Sequence, residues 1–178
     1  KSHCLHTHQK APMNSPMYTH SVPVFNQMLA AMKAELAQVN TQVTAKSMEP
    51  DAYLHARLFP DMFPLIKQVQ VAADFARGIA ARLAGVDIPV YEGKEKTFAE
   101  LDALLIRTMA FLDGLDASKF DGSESREIVL RPGTPKERKM SGQAYLANYG
   151  SPQFFFHVTT AYAILRHNGV AIGKRDYM

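Results

Sequence analysis

The chain has a single cysteine, Cys4, in 178 residues, so no intrachain disulfide framework can hold it together. A reducing cytoplasm is the expected setting. No apolar run approaches the roughly 20 residues that a membrane-spanning helix needs. Neither sign of charge dominates: 20 Lys and Arg stand against 17 Asp and Glu, for a formal charge of +3. The basic residues are spread along the chain, and no basic stripe with interleaved aromatics marks a nucleic-acid partner. HExxH, CxxC and GxSxG are missing, as is a glycine-rich phosphate loop, so the common signatures of metal, thiol, serine and nucleotide chemistry are not available. What remains is a globular composition, 47% hydrophobic and 21% charged, with enough length for one domain and a real core.

Against these absences stands a strong helical period. Met62, Leu65, Val69, Ala72, Ala76, Ile79 and Leu83 are separated by steps of three and four, the spacing of one buried seam on a packed helix. Three further segments repeat it: Val22, Phe25, Leu29, Met32, Leu36, Val39, Val43; then Phe98, Leu101, Leu105, Thr108, Leu112; then Phe155, Val158, Tyr162, Leu165. Four such helices predict an all-α four-helix bundle.

Punctuation sets the expected boundaries. Ser21 and Pro23 suit the start of the first long helix. Asp51 to Ala56 predicts a short helical turn. The second long helix is expected from near Asp61, with Pro64 in its first turn, to Gly85. Thr97 and Glu100 form a capping box for the third, which Gly114 stops. The residues REIVL and RKM around RPGTPKE predict a small two-stranded ribbon. SGQAYLANYG predicts a short helix, and Ser151-Pro152 the start of the last long one, which ends at Asn168-Gly169. The long connections imply two parallel helices joined by a crossover. Residues 1–16 read as a tail before the domain at 17–178. In that tail His3, Cys4, His6 and His8 form a conceivable soft-metal grip; a tag remnant, translated upstream stretch or loose tail is the simpler reading, with Met13 or Met17 as the natural start.

Few side chains suggest chemistry. Gln68 projects about 60° from the seam of the second long helix and reaches its interior edge, where a backbone carbonyl would ordinarily satisfy the amide. Gln70 and Asp74 stack at i and i+4 on the far side, as a solvated or subunit-facing surface. Gln153 and His157 also stand at i and i+4 and project together. An imidazole at the border of an apolar wall can ligate metal, shuttle protons or serve as a hydrogen-bonded structural group. The run Phe154, Phe155, Phe156 is explained by two core rings and one exposed or interface ring.

The segments MYTHSVPVFNQML, ARLFPDMFPLIKQVQVAADFA, TFAEL and FFFHVTTAYAILRHNGVAIGKRDY resemble a bacterial family of uncharacterised proteins, a domain of unknown function grouped with DinB-like four-helix bundles. The resemblance implies an up-down-down-up bundle, often a homodimer. DinB-like proteins typically hold a divalent metal, such as Zn or Ni, with one histidine from the second helix and an HxxxH pair from the last. His157, followed by AILRHNG, resembles the second histidine of that pair. Gln153 then occupies the first position, and Gln68, ahead of Gln70, the helix-two position. Amide oxygens are weak ligands for Zn or Ni compared with imidazole. The expectation is therefore a degraded triad with no tightly held metal, and a protein that binds a small molecule or serves an accessory or stress role. The alternatives are a metal-dependent transferase or hydrolase using Gln68, Gln153 and His157, and a purely structural homodimer.

Overall fold

The computed structural model describes residues 15–45 and 47–178. The His3, Cys4, His6 and His8 group lies outside the described residues. In chain order the elements are α1 (Pro16–Thr19), α2 (Val22–Ala45), α3 (Pro50–Leu54), α4 (Leu65–Ala84), α5 (Phe98–Asp113), a 3₁₀ turn (Ala117–Phe120), β1 (Glu127–Leu130), β2 (Arg138–Ser141), α6 (Gly142–Ala144), a π-turn (Tyr145–Gly150), α7 (Ser151–His167) and α8 (Lys174–Tyr177).

The four long helices form a ring in which α2 and α4 each touch both α5 and α7. Their directions follow from individual contacts. Asn26 Nδ2 donates to Asp113 Oδ1 at 2.6 Å, and Lys33 pairs with Asp102 at 3.2 Å, so α2 and α5 run antiparallel. Phe25 packs on Phe154, with ring centroids 4.7 Å apart, and Gln42 donates to Gly169 O just beyond α7, so α2 and α7 are parallel. On α4, Gln68 meets His157 while Ile79 meets Gly150, so α4 opposes α7. The bundle is therefore up-down-down-up, and residues 86–97 are the crossover that returns the chain to begin α5 parallel to α4.

The expected seams on α2 and α5 are buried throughout, and that of α4 from Leu65 to Leu83. The capping box forms: Glu100 N donates to Thr97 Oγ1, and Thr97 N to Glu100 Oε2. Gly85 closes α4 at φ 67°, a left-handed conformation that glycine adopts without steric cost. The ribbon β1–β2 is antiparallel, with Ile128 opposite Met140, and leans on the core through Ile128 and Leu130.

Four expectations need correction. Ser21 does not cap α2; its hydroxyl donates to Met17 O at 2.6 Å and Tyr18 O at 3.2 Å. Helix α1, too short to show a period, supplies those open carbonyls. Helix α4 begins at Leu65 rather than near Asp61, because a residue before proline is driven out of the α region; Pro64 itself is extended at ψ 165°. Ser151-Pro152 does not start a separate helix. Ser141 Oγ accepts from Ala144 N at 3.2 Å as the true cap, and the chain stays helical from Gly142 to His167. The wide π-turn just before Pro152 admits a residue that cannot donate and whose ring crowds a regular turn. Finally, on α7 Phe155 and Tyr162 are half-buried while Phe154, Ala161 and Ile164 are fully enclosed. A helix that packs on α4 and α2 at once buries two adjacent rows, and only packing decides which is central.

Candidate functional site

Helices α4 and α7 make the most extensive contact in the fold. Gly150 permits it, since a Cβ there would come within 2.9 Å of the Ile79 side chain. This close approach buries Gln68 and His157, 1% and 7% exposed, against each other. His157 Nδ1 lies 2.7 Å from Gln68 Oε1. Gln68 Nε2 donates to Phe63 O at 3.1 Å, which fixes the orientation of the amide. Oε1 can then only accept, so the imidazole carries its proton on Nδ1 and donates it. Nε2 is left with a free lone pair and has no partner among the described residues. Burial holds the His157 pKa below its ordinary value, favouring this neutral tautomer.

The imidazole sits in an aromatic wall. Phe75 stacks on it with centroids 5.8 Å apart and planes 16° apart, and Phe156 meets it edge-on at 5.2 Å. The wall continues from Phe75 to Tyr149 at 6.4 Å and from Tyr149 to Tyr145 at 5.9 Å. Tyr145 Oη accepts from Arg82 Nη1 at 3.2 Å. Sequence reasoning missed Phe75, Tyr149 and Tyr145. Their signal was spacing: Gln68, Phe75 and Arg82 recur every seven residues, and Tyr145, Tyr149, Gln153 and His157 every four.

Gln153 stands one turn before His157, half-buried, and lines a shallow cavity of about 250 Å³ with Tyr149, Pro152 and Phe156. It makes no hydrogen bond to Gln68 or His157. The structure thus joins two of the three expected residues directly and leaves the third beside them. Among the described residues no group of three His, Cys, Asp or Glu side chains is placed to hold a metal ion. The donor set does not fit the metal that the fold implies, because the Gln68 oxygen is taken up by the His157 proton and the remaining donors are one imidazole nitrogen and one amide.

The far side of α4 is only partly solvated: Asp74 is exposed, at 53% of its side chain, whereas the crossover covers Gln70, whose Nε2 donates to Gly93 O at 3.2 Å and to Glu95 Oε2 at 3.1 Å. Asp74 pairs with Arg77, although burial still pushes its pKa up. Tyr91 is held between the Arg77 and Arg107 guanidinium groups, 4.0 and 4.2 Å from its centroid, as a clamp on the crossover. A cavity of about 720 Å³ lies apart from His157, between α1 and the π-turn. No described helix is long and apolar enough to cross a membrane.

The fold is that of a DinB-like helical bundle, with Gln68 and His157 joined between α4 and α7. The chain belongs to the family described as Domain of unknown function (DUF1993), which matches residues 17–178. It is similar to the solved structure of a DinB family member protein from Shewanella denitrificans, at 34% identity over 90% of each chain and a TM-score of 0.85. No curated protein matches it.

Proposed function

We propose that this protein is a DinB-like bundle that has exchanged metal chemistry for hydrogen bonding and binds a small molecule, in an accessory or stress role. One observation carries the reading: the Nδ1-protonated His157, locked by Gln68, presents Nε2 as a neutral acceptor against the Phe75 and Phe156 rings. Such an arrangement suits a ligand with an apolar or aromatic body and one N–H or O–H donor. In the same reading the protein is a homodimer, with the exposed rings of Phe63 and Phe156 at the mouth of the site meeting a second copy.

The test uses protein purified without a histidine tag. Elemental analysis is expected to give well below one Zn or Ni per chain. His157→Ala is expected to lower thermal stability or ligand affinity with no change in metal content, since it leaves the buried Gln68 oxygen without its donor, at a cost of about 1–3 kcal/mol. Stoichiometric Zn or Ni that disappears in His157→Ala overturns the reading in favour of a metal-dependent transferase or hydrolase.

A further inference from the structure

A second buried titratable group lies far from His157 in sequence and on another face of the bundle. Along α2, Gln27, Ala31, Glu35, Gln38 and Gln42 recur every three or four residues and share one face. Three of them are tied to the C-terminal segment. Gln27 donates to Met178 O at 2.6 Å, Gln38 to Asp176 Oδ1 at 3.3 Å, and Gln42 to Gly169 O at 3.3 Å. Residues 169–178 therefore run back along α2 as a strap. Val170 and Ile172 anchor one end in the core. At the other end, in α8, Tyr177 Oη lies 2.8 Å from Thr159 Oγ1 on α7, and its ring meets Tyr162 edge-on at 5.6 Å.

Glu35 sits in the middle of this stripe, only 1% exposed, and its Oε1 is enclosed without a partner among the described residues. A carboxylate so placed favours its neutral form, because ionisation would strand a charge away from water. Among the described residues no cation is seen to offset it. Lys33 on α2 is paired with Asp102 of α5, the α7 groups near the strap are the neutral Tyr162 and Thr159, and Lys174 and Arg175 of the strap are exposed. The charge that reaches Glu35 is that of Asp176. Burial first, and Asp176 second, push the Glu35 carboxyl up to about 7. Asp176 is held below its ordinary range, chiefly by the Gly173 backbone amide and then by Gln38, and stays ionised at neutral pH.

We propose that Glu35 and the C-terminal strap form a proton-operated latch, in which the strap docks on α2 while Glu35 is protonated and lifts when Glu35 releases its proton to solvent. Docking buries Glu35 and brings Asp176 near it, so docking favours the protonated acid. By linkage, ionisation favours release: between the ordinary carboxyl value of 4.5 and the docked value of about 7 each pH unit raises the open population up to tenfold, and above 7 the rise levels off. Lifting the strap bares the face between α2 and α7.

Amide hydrogen exchange on the full chain tests the latch, expressed as protection factors so that the intrinsic pH dependence of exchange divides out. Protection at Asp176, Tyr177 and Met178 is expected to fall about tenfold between pH 6 and pH 8.5, while that of Leu101 and Leu105 stays level. In Glu35→Gln the strap amides are expected to keep their acid-side protection at both pH values. Asp176→Asn, which leaves the α2 core untouched, is expected to move the midpoint to lower pH even if Glu35→Gln folds poorly. Carboxyl ¹³C titration of the wild type should give a Glu35 midpoint near 7. A flat wild-type profile, an equal fall in Glu35→Gln, or a Glu35 midpoint near 4.5 overturns the proposal.

Discussion

His157 and Glu35 are both buried, and burial moves their pKa values in opposite directions. For His157 the folded value lies below the ordinary 6.5, so the unfolded chain binds the extra proton first. Its contribution to stability is present above about 6.5 and is lost as pH falls through the folded value. For Glu35 the folded value is raised from 4.5 to about 7, so its contribution is present below 4.5 and lost as pH rises through 7. The two oppose each other in mildly acidic solution. In a Glu35→Gln background the His157 term is exposed: denaturant midpoints should fall between pH 7 and pH 5, and adding His157→Gln should flatten that fall. An undiminished fall in the double variant would show that His157 is not held neutral by burial. The Gln68–His157 pair was legible because helical projection put both residues at the inner edge and the DinB-like resemblance aligned them. The amide's second bond, to Phe63 O, was not legible, because it depends on where α4 starts. The stacked Phe75 was not legible either: it sits beside the apolar seam, and a side row looks the same in sequence whether it faces solvent or a neighbouring ring.

At the level of elements, the seams make the firmest claim. Leu65 and Leu101 are fully enclosed on α4 and α5, and replacing either with Ala should cost about 2–5 kcal/mol in denaturant unfolding. Losses under about 0.5 kcal/mol at both sites would contradict the packing. Helices α2, α4 and α5 could be read because each carries a seam over about four turns or more, and α4 and α5 add a chemically specific stop or cap, Gly85 and the Thr97–Glu100 box. The failures cluster where local signals are short or ambiguous. Four-residue α1 has no period to detect. Ser151-Pro152 carries the composition of a helix start, yet the Ser141 cap ten residues earlier had already started the helix, and the π-turn removed the penalty that would have forced a break. On the far side of α4 the solvated reading suits Asp74, which is exposed, but not Gln70, because helical projection knows nothing of the crossover that returns along that side and covers the amide.

For the whole molecule, the direction of each helix was set by the crossover between α4 and α5, which is what makes the bundle up-down-down-up. The dimer expectation also belongs to this scale. Phe63 and Phe156 are about half exposed beside the site, at 50% and 54%, and a self-complementary two-fold contact is the common way to cover such rings. Sedimentation at micromolar concentration should show a dimer, and Phe156→Glu should shift it toward monomer; a wild-type monomer would end the idea. The strap carries a consequence for how the chain is made. Gln27 and Met178 are partners 151 residues apart, whereas Gln70 and Glu95 close over 25. On the ribosome α2 emerges ahead of α4, α5 and α7, and the residues that cover its polar stripe follow all three, so long loops must close before such contacts form. Throughout synthesis that stripe faces water, and a row of glutamines with one glutamate can wait there without offering nascent neighbours an apolar surface on which to aggregate.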